Sequence, residues 1–235
     1  MKVFVPLVLT MALLASACLG QQVLFSDDFD SGLDDQWLMP NGGWVIENGR
    51  LQNTSTCGFQ QCMPDIWSGG ESQSDYMISF DLELLEPSPS PHGMALYVYT
   101  SMSESCEPYQ CPLGVGYAVD VGYQSHASMA RMDGNSAVSE LAWVPYGEPR
   151  CWWNPNILYH VKYGRQGGSL VFNKWTDSEP EPSPLMTAQD DTYSAGFWGV
   201  SIWNGMVAID NFEVTGYGVV SNEDMTWSGV KALYR

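Results

Sequence analysis

Tyr76 to Leu84 is the stretch that most narrows what this chain can fold into. Ile78, Phe80, Leu82 and Leu84 fall on one side of a two-residue period, and Met77, Ser79, Asp81 and Glu83 on the other. That period belongs to a half-buried strand, since the apolar stripe of a helix returns about every 3.6 residues. Pro87, Pro89 and Pro91 follow. Proline has no N–H to give to a ladder, so pairing is expected to end there.

The pattern recurs along the chain. Trp44-Val45-Ile46-Glu47 and Arg50-Leu51 flank Asn48-Gly49, a dipeptide that favours the positive φ angles of a two-residue hairpin turn. Strands are expected at 93–99, 115–123, 128–132 and 138–144. A strand–turn–strand unit is expected over Tyr159–Tyr163, Gly164–Gly168 and Leu170–Trp175, and two last strands over 196–203 and 206–215. No amphipathic helical stretch competes. Short strands at roughly 8–15-residue spacing argue for an antiparallel sandwich or barrel. The 235 residues fit one such domain, and no internal repeat is visible.

The N-terminus reads differently. Lys2 precedes an uncharged run from Val3 to Leu19 that contains Ala15-Ser16-Ala17. This is the layout of a secretion signal and is too short and too terminal for a span. Cleavage before Cys18, or after Gly20 to leave Gln21 first, is allowed. Leu14-Ala15-Ser16-Ala17-Cys18 also resembles a lipobox, with Ala15 where leucine is usual, so the protein is either secreted or held at the cell surface through a lipid on Cys18. The expected organisation is a signal over 1–20, a β-sandwich domain over 21–218, and a polar linker with a short tail over 219–235.

The order of signals in the C-terminal third carries a resemblance. Lys174-Trp175, Glu179-Pro180-Glu181-Pro182, Ala195-Gly196, Gly199-Val200 and Ile209-Asp210-Asn211-Phe212 follow one another there, and Phe25-Ser26-Asp27-Asp28-Phe29-Asp30 opens the domain. Over about residues 23–216 the chain resembles the concanavalin A-like lectin/glucanase superfamily, in particular bacterial laminin-G-like modules. The resemblance implies an all-β jelly roll, an antiparallel β-sandwich that mostly serves carbohydrate, as a binder, hydrolase or lyase.

It also implies a structural calcium tying the first strand to the last, with Asp28, the carbonyl of Gly49 and Asp210 as its ligands. Calcium accepts six to eight oxygens, so carbonyls and waters could complete that shell. Strand parity supports the idea, because Asp210 alternates with Ala208, Phe212 and Val214 and so is expected to face the core, where a carboxylate needs a partner. The other reading makes Asp28 a turn acid and Asp210 a backbone cap. Glucanases of the superfamily carry a Glu-x-Asp-x-x-Glu triplet, which Asp81, Glu83 and Glu86 approximate with the first two acid types exchanged. Retaining hydrolysis needs two carboxyls about 5–5.5 Å apart. Simple alternation puts Glu86 on the opposite face from the other two, so a non-catalytic strand edge is the expected role. His92, His126 and His160 sit in no lyase-like context.

Aromatic residues are the remaining signal for ligand. Sugar rings stack on Trp and Tyr faces. Tyr97 and Tyr99 share one strand face, and Trp143, Trp152, Trp153 and Asn154 cluster in or beside a loop. Adjacent strand residues face opposite ways, so Trp152 and Trp153 cannot easily both be buried. Trp37, Trp44, Phe80 and Trp198 are expected in the core. The formal net charge of −18 repels nucleic acid and anionic surfaces, which favours a neutral polysaccharide or glycoconjugate as partner. Cys57 and Cys62, and Cys106 and Cys111, share one spacing, and an oxidising compartment would allow each pair to close a local disulfide. Cys151 is left over, either free and buried or paired with Cys18. The sequence thus points to an exported, non-catalytic carbohydrate-binding jelly roll, with a diverged carbohydrate-active enzyme and a structural adhesion protein as alternatives.

Overall fold

A computed structural model describes residues 21–41, 43–54, 59–64, 67–69, 75–87, 95–101, 115–122, 126–133, 136–193 and 195–217. The segments 1–20 and 218–235 lie outside these residues, as do Cys57, Cys106, Cys111 and His92. Of Cys62 only the strand position is described, so the expected disulfide pairs fall outside what the structure describes.

Two antiparallel sheets make up the domain. The first contains β1 (Gln21–Asp27), β3 (Trp44–Glu47), β4 (Arg50–Asn53), β7 (Asp75–Pro87), β12 (Leu158–Gln166), β13 (Ser169–Thr176), β14 (Met186–Ala188) and β16 (Gly205–Tyr217). The second contains β2 (Trp37–Asn41), β5 (Phe59–Pro64), β6 (Trp67–Gly69), β8 (Ala95–Ser101), β9 (Val115–Gly122), β10 (Ala127–Asp133), β11 (Ser136–Val144) and β15 (Ala195–Trp203). The first sheet runs β14-β13-β12-β7-β16-β4-β3, with β1 also on β16. The second runs β11-β10-β9-β8-β15-β5-β2, with β6 also on β15.

The alternation holds from Ile78 to Leu84, while Met77, expected on the outer side, is buried at 4% exposure. Ile78, Phe80, Leu82 and Leu84 are at 0–2% exposure, while Ser79, Asp81 and Glu83 are half-buried on the outer face. Trp37, Phe80 and Trp198 are buried and Trp44 packs beside them, as expected. Asn48 and Gly49 take φ of 54° and 71° in a two-residue turn that pairs Glu47 with Arg50.

Gly164 is a correction. It lies inside β12 opposite Met77, and a Cβ there would sit 2.0 Å from the carbonyl oxygen of Tyr76. Only glycine fits that approach. The turn is made by Gly167 and Gly168 alone, at φ 58° and 79°.

Two bulges overturn the parity arguments made for acidic residues. In β16 Asp210 pairs with Asp81, but Glu213 pairs with Ser79, so one residue is extra. Asn211 takes up the kink at φ 48°. Ile209 and Phe212 face the core at 0% exposure, and Asp210, half-buried, is turned to the outer face. Its expected inward position is therefore wrong. In β7 Leu84 pairs with Val207 and Glu86 with Met206, leaving Leu85 extra. A bulge resets the face of all later residues, so Glu86 shares the outer face with Asp81 and Glu83.

Candidate functional site

Four groups of polar residues stand out, and their hydrogen bonds separate them. The first is the outer face around Asp81. Its Oδ1 meets His160 Nδ1 at 2.6 Å, and its Oδ2 accepts from Asn211 Nδ2 at 2.8 Å. The other ring nitrogen of His160 meets Asp177 at 2.7 Å, and the ring leans on Trp175. Burial opposes charge on His160, but the two carboxylates prevail and raise its pKa. Arg50 donates to Glu83 at 2.5 Å. Both acids are thus engaged by neighbours within the chain, while Glu86 is exposed.

The second group is the expected calcium set. Asp28 lines a groove of about 370 Å³ with Asp27, Asp34, Asn211 and Glu213, and its Oδ1 accepts from Asp30 N at 3.2 Å. Asp27 accepts from Phe29 N and from Trp37 Nε1. Gly49 is approached by Asp30, whose Oδ1 would lie 2.9 Å from a Cβ at that position. The pKa of Asp210 is raised, first by burial and then by the like charges of Asp81 and Asp30, against the Asn211 N–H and Arg50. The carboxylate next to Gly49 is therefore that of Asp30. Asp28, Gly49 and Asp210 do not form a ready-made cage, and no three His, Cys, Asp or Glu side chains among the described residues are grouped closely enough to hold a metal ion.

The third group is the loop from Pro145 to Ile157. Cys151 is free and fully buried, as one of the two expectations had it, and burial raises its thiol pKa. Trp153 is also fully buried, donates Nε1 to the carbonyl of Val121 at 3.1 Å, and packs edge-on against Tyr159. Lys174 Nζ sits 4.1 Å and 4.3 Å from the centres of the Trp153 and Tyr159 rings and donates to the carbonyl of Trp152 at 2.5 Å. Asn154 gives both its N–H and its side-chain amide to the Tyr159 hydroxyl. Trp153 is thus a core residue, contrary to the expectation of a ligand contact. A loop is not bound by strand alternation, so Trp152 is half-buried as well. Trp153 offers no open face, and Trp152 keeps a buried Nε1 without a hydrogen-bond partner among the described residues.

The fourth group lies on the outer face of the second sheet. Val119 and Val121 of β9 point inward at 0% exposure, and so do Ala127 and Met129 of β10. Asp120 and Ser128 therefore point outward. Register places Trp143 opposite Ser128, Ser128 opposite Asp120, Asp120 opposite Tyr97, and Tyr97 opposite Ser201. One row thus crosses five strands, and Trp143 and Tyr97 sit three strand spacings apart, roughly 14 Å. Trp143 is 54% exposed. Tyr99 pairs with Ala118, which is buried with Ala130 and Met132 in a small apolar cluster.

Asp120 was not singled out from the sequence, although a lone acid between Val119 and Val121 is a visible signal. Its Oδ1 is buried without a hydrogen-bond partner among the described residues, and the same is true of Ser201 Oγ. Burial raises the Asp120 pKa to about 6, against a lowering by His126. Of the expected ligand contacts, Trp143 is exposed and Trp153 is buried, while Tyr97 and Tyr99 are described only by their strand pairing.

No family model matches the sequence, and neither does any curated protein. Solved structures do match its fold. The carbohydrate binding module CBM66 from Bacillus subtilis superimposes with a TM-score of 0.53 at 18% identity, over 76% of this chain and 94% of that one. The Ca2+-bound exoplasmic/lumenal domain of VIP36 gives 0.61 at 12% identity, covering 87% of this chain and 94% of that one. The carbohydrate recognition domain of Emp47p gives 0.61 at 11%, covering 85% and 97%. At these identities the likeness is one of fold, and the fold is the concanavalin A-like jelly roll.

Proposed function

We propose that this chain is an exported, non-catalytic carbohydrate-binding protein. In this reading a neutral polysaccharide or glycoconjugate lies across Trp143, Ser128 and Asp120 on the outer face of the second sheet. The observation that carries it is the carboxyl of Asp120, turned outward with a buried oxygen that no described residue satisfies, on the same row as an exposed tryptophan. Buried polar atoms are nearly always paired, and a sugar hydroxyl would complete this one. Exposed indole supplies the stacking surface. The fold neighbours support the class: CBM66 is a carbohydrate binding module, and VIP36 is solved in a Ca2+/Man-bound form. The negative charge of the chain favours uncharged sugars.

Calcium belongs to the proposal as a structural ion. Asp30 beside Gly49, with Asp210, would hold it, and it would offset the repulsion that Asp81 and Asp30 exert on Asp210. Its role would be to fix the β3–β4 turn against β16.

Glycan-array screening followed by calorimetric titration tests the reading. Trp143→Ala and Asp120→Asn should each abolish binding to the glycans that the wild type captures, and Glu83→Gln should leave it intact. No array signal for the wild type would refute the binding function. Release of new reducing ends by the wild type but not by Glu83→Gln would instead favour the diverged hydrolase, whose three acids the bulge at Leu85 brings to one face.

A further inference from the structure

The described part of the chain spends its lysines and arginines away from Asp120. Arg50 donates to Glu83, Arg131 to Asp190 and Lys162 to Glu181. Arg150 donates to Asn173 and to the carbonyl of Ser183, Arg165 to the carbonyl of Tyr193, and Lys174 to the carbonyl of Trp152. Among the described residues, the opposing charge that acts on Asp120 is that of His126, and only while its ring is protonated. Asp120 Oδ1 is buried without a hydrogen-bond partner. The residue as a whole keeps part of its surface open, so a ligand can reach the carboxyl from the outer face.

A carboxylate taken out of water without a cation is costly, and burial raises this one to about 6. A sugar hydroxyl would give it a hydrogen bond and no charge. An ammonium group gives both, with three N–H donors and a positive charge. The net charge of −18 draws cations to the chain as it repels anions. Trp143 lies across Ser128 from Asp120, two strand spacings or roughly 9–10 Å away. That separation suits two sugar units better than one, the first on the carboxyl and the second on the indole.

We propose that this face binds an amino-sugar glycan, with a free protonated amine seated on the Asp120 carboxyl and a neighbouring ring stacked on Trp143. The proposal rests on the reading of the chain as a glycan binder and narrows it to sugars with a free amine. Calorimetric titration of the full chain at near-neutral pH tests it with tetramers of glucosamine, N-acetylglucosamine and glucose in one linkage. These place an ammonium, an acetamide and a hydroxyl on the same carbon. The glucosamine form should bind about tenfold more tightly than either other form, and added salt should weaken it most. Asp120→Asn, shown to be folded by its melting curve, should bring its affinity down to that of the other two or below. Glu140→Gln, which removes an exposed acid of β11, should keep the preference. An equal loss in Glu140→Gln would make the attraction a property of the overall charge and overturn the site. Equal affinity for the three tetramers overturns the amine and leaves the glycan reading standing, and so does capture of other glycans with none of the glucosamine form. A glycan array without any signal overturns both.

Discussion

Two aspartates of this sandwich, Asp190 and Asp120, show how the same side chain serves structure in one place and is left open in another. Asp190 Oδ1 accepts from the Tyr117 hydroxyl at 2.6 Å and from Thr192 N at 2.9 Å, and its Oδ2 accepts from Arg131 at 3.2 Å. Around it Tyr193 N donates to the Tyr117 hydroxyl, Arg131 donates to Thr192, and Arg165 donates to the carbonyl of Tyr193. The segment 189–193 is thereby latched to both sheets. Burial works against its charge, but these bonds prevail and lower the Asp190 pKa. Asp120 is one strand over from Arg131, and its Oδ1 has no such partner among the described residues. Burial dominates there, and its pKa rises. The first carboxylate is a structural tie, and the second is the polar anchor of the proposed glycan row.

The largest effect should come from breaking the tie. Asp190→Ala leaves Tyr117 and Arg131 without their acceptor and should cost about 2–4 kcal/mol of stability, read by urea denaturation. Glycan binding by the folded fraction should persist, because the latch does not touch the row at Trp143. The acid dependence follows from the sign. A depressed folded pKa adds stability that is present above the unfolded carboxylate value of about 4 and disappears as pH falls through the folded value. The wild type should therefore lose this contribution below about pH 4, and Asp190→Ala should lack that part of the slope. Loss of glycan binding in a folded Asp190→Ala would merge the two regions and defeat the contrast.

Asp120→Asn should do the reverse. With the folded value raised to about 6, the native state binds the proton more tightly than the unfolded chain does. The wild type should then lose stability as pH rises from about 4 to 6, and the variant should be flat across that window. At neutral pH the variant should be as stable as the wild type or more so, while its glycan affinity is gone. A destabilised Asp120→Asn with unchanged affinity would make Asp120 a structural group and leave the row without its polar anchor.

Parts of this arrangement were legible in the sequence, and the reasons for the misses are physical. The period from Ile78 to Leu84 and the Asn48-Gly49 turn are local, and local sterics fix them. Asp210 and Glu86 were assigned to the wrong faces because a bulge adds one residue without any compositional mark, and a single slip inverts every later side chain. Trp153 looked available because alternation was applied to a loop. Asp190 could not be told from the many surface acids, since its partners Tyr117 and Arg131 are 73 and 59 residues away. Asp120 was visible as one acid in an apolar strand, but aromatic density elsewhere drew the argument away from it.

Lys174 lies between the two aspartates in kind, since its partners are one carbonyl and two ring faces. Burial brings its pKa down to about 7, against a raising by Cys151. A lysine with a depressed folded value binds fewer protons in the native state than in the unfolded one. Stability should therefore rise with pH from about 7 to about 10.4, the unfolded lysine value. Lys174→Met keeps the length and apolar contacts and loses the bond to Trp152, which should cost about 1 kcal/mol at neutral pH. The variant should also lose the alkaline rise, measured as denaturation midpoints at several pH values. A rise that persists in Lys174→Met would locate the titrating group elsewhere.

The smallest effect expected is that of calcium, and it tests whether a cation can do for Asp210 what Tyr117 and Arg131 do for Asp190. Asp81 and Asp30 each act as like charges on Asp210, and Arg50 opposes them. A bound calcium would supply positive charge at that point, and ligand that binds only the native state stabilises by mass action. The expected gain is about 1 kcal/mol, a shift of roughly 2–4 °C in Tm for a domain of this size. Adding chelator should lower the melting temperature by that amount, and excess calcium should restore it. Asp210→Asn should melt at one temperature in both conditions, while Asp28→Asn should keep the shift, because the structure puts Asp30 next to Gly49. Insensitivity of the wild type to chelator would remove the ion. Loss of the shift in Asp28→Asn alone would return the site to the groove lined by Asp27, Asp28 and Asp34.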